Sequence, residues 1–341
     1  MGNRRLAYEP ALDGIRAIAI ILVVLLHAYT PGFAGGYFGV DVFFVLSGYL
    51  ITRLLCVELD QTGKIDLRRF WVRRLWRLYP VLLMVLAVYL AVCTAAWPDQ
   101  SFDTHFKASL IAGLYLTDYA WAFDAPIRQL QHTWSLAVEE QFYLVWPLLL
   151  LLLNRFQRKH AILLLAALYV VAHAWRMMQS GIRTDLPLHF SFDTHATGLI
   201  LGCLIGRMRP EIPKWLGWIG LMGIALTVYA FPARDTHSIL ISFPLVEASS
   251  ALLILSPPTW LGISLLAWLG RLSYGWYLWH FPIMVWIMDQ GYSWETVATL
   301  GGMVSLACAA VSYYTVERWV RGFRSRSGEN SLLTERPSDL A

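Results

Sequence analysis

Apolar runs of membrane-span length recur along this chain and limit what it can fold into. Residues 17–26, 81–96, 144–153 and 162–174 are almost purely aliphatic, and aromatic flanks carry each run to about span length. Runs of this kind read as transmembrane helices, because backbone polar groups in hydrocarbon must satisfy one another. The composition agrees. Hydrophobic residues make up 57% of the chain and charged ones 15%, against about 25% charged in soluble proteins. Sixteen Trp and sixteen Tyr suit interfacial belts. Cys56, Cys93, Cys203 and Cys308 lie far apart inside apolar segments, with no metal or disulfide spacing, and read as small buried hydrophobes. Arg4 and Arg5 precede an apolar run as in a signal peptide, but no small-x-small cleavage site follows, so that run reads as a retained first span.

Spans are expected near 13–30, 38–56, 79–97, 133–153, 161–178, 187–206, 214–231, 238–255, 272–290 and 296–316. Segment 106–122 is short and crowded by Lys107, Asp118 and Asp124. If it does not cross, the count is ten and both termini share a side. That side then holds all of the 27 basic residues except Lys107, Arg128, Arg176, Arg183 and Arg234, and the positive-inside rule makes it cytoplasmic. A full crossing would export Arg155, Arg158, Lys159 and the basic C-terminal end. The expected fold is therefore an all-α polytopic membrane protein with about ten transmembrane helices plus one re-entrant or interfacial segment. Residues 1–320 form the membrane-embedded domain, and 321–341, rich in Ser, Glu, Pro and Asp, a disordered cytoplasmic tail. No internal repeat is visible.

Within this frame a few ionisable residues stand out. Arg16 and His27 are eleven residues apart on the first span, so at 100° per residue they share a helix face, about 16 Å apart along the axis. Charged groups inside a span are costly and usually face protein or water. A cation at one end and a titratable base at the other suit a site that holds an anion and moves a proton. Ahead of the third span, Arg69, Arg73 and Arg77 repeat at i+4, and Arg74 meets Arg77 at i+3. Stacked like charges favour an anion between them, and arginine forks suit phosphate. The start of an outward-running helix would add its dipole. The same cluster also fits ordinary anchoring on anionic lipid. A short link makes the first two spans a hairpin, placing Asp41 at a depth similar to His27, where it either orients the imidazole or simply meets water. Glu139 and Glu140 are adjacent and point about 100° apart, so only one can face a given partner. His280 borders the helix break at Pro282.

These residues together resemble the acyltransferase-3 family of bacterial integral-membrane O-acyltransferases. The matching pieces are Leu12-Asp13-Gly14-Ile15-Arg16 with ten residues to His27; the stretch from Gly39 through Asp41 and Ser47 to Gly48; Phe70 with Arg73, Arg74, Arg77 and Pro80; Trp134-Ser135-Leu136 through Glu139-Glu140 to Tyr143; and Ser273-Tyr274 through His280. The resemblance covers the chain except its tail. It implies ten spans and acyl transfer from cytoplasmic acyl-CoA, with acetyl-CoA as the expected donor, to an extracytoplasmic hydroxyl, usually on a free or lipid-linked sugar. It places the protein in the bacterial inner membrane with both termini cytoplasmic.

Combined with the residue reading, the expected roles follow. His27 is the catalytic base and Asp41 orients it. Arg16, Arg73, Arg74 and Arg77 bind the donor's phosphates. Glu140, His280 and Ser47 contact substrate, with an acyl-enzyme on Ser47 as a less favoured variant. No metal and no nucleic acid are expected. The partners are the lipid bilayer, the carbohydrate acceptor and a possible partner acyltransferase, since the chain ends before any fused soluble hydrolase-like domain. One segment departs from the family pattern. Where members often carry Thr-Arg-x-Asp, this chain has Thr194-His195-Ala196-Thr197, with His195 and Thr197 in place of that Arg and Asp. Two alternatives remain at this point: acylation of a small secondary metabolite such as a macrolide, and a proton-coupled transporter with buried His and Glu as relays, although no inverted-repeat symmetry is visible.

Overall fold

The computed structural model describes residues 7–122, 128–183, 185–232 and 236–326, and every regular element among them is helical. The long helices are α1 (Pro10–His27), α2 (Phe38–Thr62) and α3 (Leu67–Ala96), then, after the short α4 (Phe102–Gly113) and α5 (Thr117–Ala122), α6 (Trp134–Leu153) and α7 (Arg158–Ser180). A broken stretch follows as α8 (Asp185–Phe190), α9 (Phe192–His195) and α10 (Thr197–Met208). Next come α11 (Trp215–Ala230), α12 (Thr236–Leu255) and α13 (Ser264–Asp289). The last helical run comprises α14 (Trp294–Thr296), α15 (Gly302–Ser312) and α16 (Arg318–Arg326), joined through two π-helical turns.

Among the described residues, seven helices are long and apolar enough to cross a membrane, and α10 and α11 are apolar but shorter. The protein is an all-α polytopic membrane protein. The stretch expected to cross at 187–206 is not one helix. Its backbone turns extended at Ser191 (ψ 142°), and Thr194 donates its hydroxyl to the Leu188 carbonyl at 2.8 Å, closing a local turn in place of helix. α16 carries helix through Arg326, past the expected start of the tail at 321; residues 327–341 lie outside the described ones.

Helix limits follow local chemistry. Pro10 opens α1 at a position where its missing N–H costs nothing. Gly63 ends α2 with a left-handed φ of 71°. Asp66 caps α3 by accepting from the Arg69 N–H at 2.9 Å. This cap corrects one expectation. The positive end of the α3 dipole is at Leu67, about three turns before Arg77, and such a dipole acts only over its first turn.

α2 is the central helix: 72% of its apolar window is buried, against 17% of that of α7. Lipid offers helices no hydrophobic reason to associate, so close van der Waals approach carries the packing. The α2–α10 contact shows this. A Cβ on Gly48 would lie 2.1 Å from the Leu199 carbonyl oxygen, and one on Gly202 would lie 2.2 Å from that of Val45. Leu144, Val145, Leu148 and Leu152 of α6 are exposed and form one stripe suited to acyl chains.

The ambiguous segment returns to the side it left. α4 has 12 residues, about 18 Å of helix against a ~30 Å hydrocarbon core, and the backbone reverses at Tyr115 (φ 54°) before α5. Trp97, before the segment, donates to Asp289 at 2.8 Å. Arg128, after it, donates to both oxygens of the same carboxylate at 2.9 and 2.5 Å. Both ends of the segment thus meet at one side chain at the end of α13.

Candidate functional site

A cavity of about 950 Å³, counting the space open at its mouth, lies among α1, α2, α3, α6 and α13. Arg16, Arg74, Arg77 and Arg271 face it, together with Glu139 and Glu317. Four guanidinium groups against two carboxylates leave an excess of positive charge, and the complement is an anion. Arg16 has only a loose ion pair, 3.7 Å from Asp13. The Arg74 guanidinium carbon sits over the Tyr143 ring at 5.0 Å, a contact that holds the group without using its N–H donors. Arg73 does not line the cavity. α3 extends unbroken through the arginine cluster, and the i,i+3 pair Arg74 and Arg77 takes the inward face.

Ser47 also lines the cavity. Its hydroxyl and that of Tyr143 both donate to Oε1 of Glu139. Of the adjacent pair, Glu139 and not Glu140 therefore faces the cavity. Glu140 does not line it, and its Oε1 is buried with no hydrogen-bond partner. The 100° step between adjacent helical residues separates them; only the rotation of α6 decides which one points inward.

His27 is the last residue of α1, and its Nδ1 lies 2.9 Å from Nε2 of His280. His280, fully buried, has its Nδ1 2.6 Å from the Tyr277 carbonyl. A carbonyl only accepts, so Nδ1 of His280 carries a proton, and in the neutral ring Nε2 is then an acceptor. His27 must donate to it from Nδ1, which leaves the lone pair of His27 on Nε2. The two imidazoles thus form a directional pair in which His280 sets the tautomer of His27. The expected orienting residue, Asp41, is engaged elsewhere: Oδ1 lies 3.0 Å from Nε2 of His195, and both side chains are buried. Similar depth along the hairpin does not settle direction. Near the start of α2, Asp41 turns toward His195 of α9, whereas α1 packs His27 against α13.

With this geometry in hand, comparison with known proteins is decisive. A family model for the acyltransferase domain of the acyltransferase-3 type matches residues 9–315. The chain belongs to the acyltransferase-3 family. It is 32% identical over 353 aligned residues to the O-acetyltransferase OatA of Staphylococcus aureus strain NCTC 8325 / PS 47, covering 93% of this chain and 58% of that protein. It is 31% identical over 313 residues to a putative O-acetyltransferase of S. aureus strain MSSA476, covering 82% and 51%. The chain thus spans little more than half the length of these curated relatives. No solved structure matches it.

Among acyltransferase-3 chains, the departure at 194–197 has a structural counterpart here. His195 donates from Nδ1 to the His189 carbonyl, so the contact between its Nε2 and Asp41 must hold a proton between them. Thr197 donates to Oε1 of Glu247 and receives Nη2 of Arg176 at 2.5 Å. Glu247 also accepts from Tyr169 at 2.8 Å and meets His173 at 3.1 Å. An arginine from α7 and a carboxylate from α12 thus join the segment that lacks both. Sequence reasoning missed Arg176, Glu247 and Arg271, and read Glu317 only as closing the last span. The available signal for all four was a charge within or bordering an apolar run; what each one faces required the fold.

Proposed function

We propose that the protein is a membrane O-acyltransferase that moves an acetyl group from cytoplasmic acetyl-CoA to a hydroxyl of an extracytoplasmic or lipid-linked carbohydrate, in the inner membrane with both termini cytoplasmic. The observation that carries this reading is the alignment of one arginine-lined cavity with the His27–His280 pair beyond its far end. Arg16, Arg74, Arg77 and Arg271 suit the phosphates of a nucleotide thioester, which would supply an activated acyl carbonyl. His27 acts as the general base: its Nε2 takes the proton of the acceptor hydroxyl as the ester C–O bond forms and the C–S bond breaks, and returns it to the leaving thiolate. His280 accepts from Nδ1 throughout and supports the imidazolium. Asp41 with His195 and the Arg176–Glu247 network hold α2, α7, α10 and α12 in place beside this path.

The test is acyl transfer from labelled acetyl-CoA by the purified protein in nanodiscs, with mass spectrometry of cell-surface glycans from cells with and without the gene. Wild type should release CoA and acetylate a hydroxyl acceptor, and folded His27→Ala should do neither. Transfer by His27→Ala near the wild-type rate would remove His27 from the chemistry, and inert wild type would favour a transporter.

A further inference from the structure

The outer end of the cavity is a wall. Sorted by depth, α2 lines the cavity from Val40 to Ile51, α6 from Ser135 to Tyr143, and α13 from Tyr277 back to Gly270. The eleven helical steps from Val40 to Ile51 make it about 16 Å deep. Neither His27 nor His280 lines it; His280 is one helical turn beyond Tyr277. Tyr277 is 6% exposed and its hydroxyl is held twice. It donates to the His132 carbonyl, and with its one proton used it accepts from Ser135 at 2.7 Å. Its ring centre is 5.5 Å from that of His280 and 5.3 Å from that of His132. One fixed aromatic side chain therefore borders both the cavity and the imidazole layer.

We propose that Tyr277, with Val40 on the facing helix, is the specificity-determining wall that restricts the transferred acyl group to a very short chain. The proposal rests on the reading above, in which the arginines anchor the donor. The acyl carbon must come within reach of the His27 layer at this wall, so any chain beyond the methyl enters the space that the Tyr277 ring fills. That ring cannot turn aside without breaking two buried hydrogen bonds. A single methylene against a packed wall discriminates by about 10- to 200-fold.

The experiment measures kcat/KM for acetyl-, propionyl-, butyryl- and hexanoyl-CoA, with free CoA affinity as a control, on wild type, Tyr277→Phe, Tyr277→Ala and Val40→Ala. Wild type should lose at least about 10-fold per added methylene at unchanged CoA affinity. Tyr277→Phe keeps the ring and should keep the preference. Tyr277→Ala should raise the butyryl-to-acetyl ratio about 10-fold or more. Val40→Ala should raise it in the same direction without touching a hydrogen bond, and it decides the matter if Tyr277→Ala does not fold. Equal use of acetyl and butyryl by wild type, or an unchanged ratio in the folded enlarging variants, overturns the wall while leaving the donor reading intact. Wild type inert toward every thioester overturns the donor reading and the wall with it.

Discussion

Replacing His280 by leucine tests the directional imidazole pair. The substitution roughly conserves volume at a fully buried site, so the main loss is the acceptor 2.9 Å from Nδ1 of His27. In the resting enzyme that contact is a neutral hydrogen bond, worth about 0.5–1.5 kcal/mol. When His27 takes the acceptor proton, the same contact becomes charge-assisted, worth about 1.5–3 kcal/mol. Only the difference between the two, about 1–1.5 kcal/mol, is felt by the chemical step, and at 1.36 kcal/mol per decade it corresponds to a fall in kcat of roughly 5- to 13-fold. Donor binding should not change, because the arginines lie at the other end of the cavity. The assay is single-turnover acetyl transfer in nanodiscs with CoA affinity measured in parallel. His280→Gln, whose amide oxygen can accept from Nδ1, should recover part of the loss. A folded His280→Leu protein within about 1.5-fold of wild type in kcat, well below that range, would refute the tautomer argument.

Arg74→Ala and Arg77→Ala should each weaken CoA binding by about 1.5–3 kcal/mol, the worth of one charge-assisted contact, as read by equilibrium binding in nanodiscs. Arg73→Ala, outside the cavity, should change it much less, and equal losses in all three would return the cluster to lipid anchoring. In a background lacking the four native cysteines, Cys at Asp103 and at Arg128 should both react with an impermeant reagent from outside, since both ends of the intervening segment meet at Asp289; protection of position 128 until the membrane is opened would refute the return. Gly202→Val should abolish monodisperse protein in size-exclusion chromatography, because its Cβ alone would sit 2.2 Å from the Val45 carbonyl oxygen; a well-behaved variant would show that the α2–α10 packing is looser than the geometry requires.

Membrane character was legible because hydrophobicity sums along the chain and needs no neighbours. The same-face placement of Arg16 and His27 was legible because a helix has one period, and α1 runs unbroken across both. The non-crossing segment could be read from charge, because the positive-inside bias acts on loops one at a time. Partner identity was not legible. Asp41 goes to His195, a residue 154 positions away in the chain, and His27 to His280, 253 positions away. Glu139 faces the cavity instead of Glu140, and Arg74 with Arg77 instead of Arg73. Each of these depends on how a helix is rotated about its axis and on which helix lies beside it. In lipid those rotations are set by close contacts such as Gly48 against Leu199 and Gly202 against Val45. The sequence by itself determined the class of molecule and the depth of its charged residues, which are properties of single helices. The tertiary structure alone decided which of those residues meet, because contact between helices is a property of pairs.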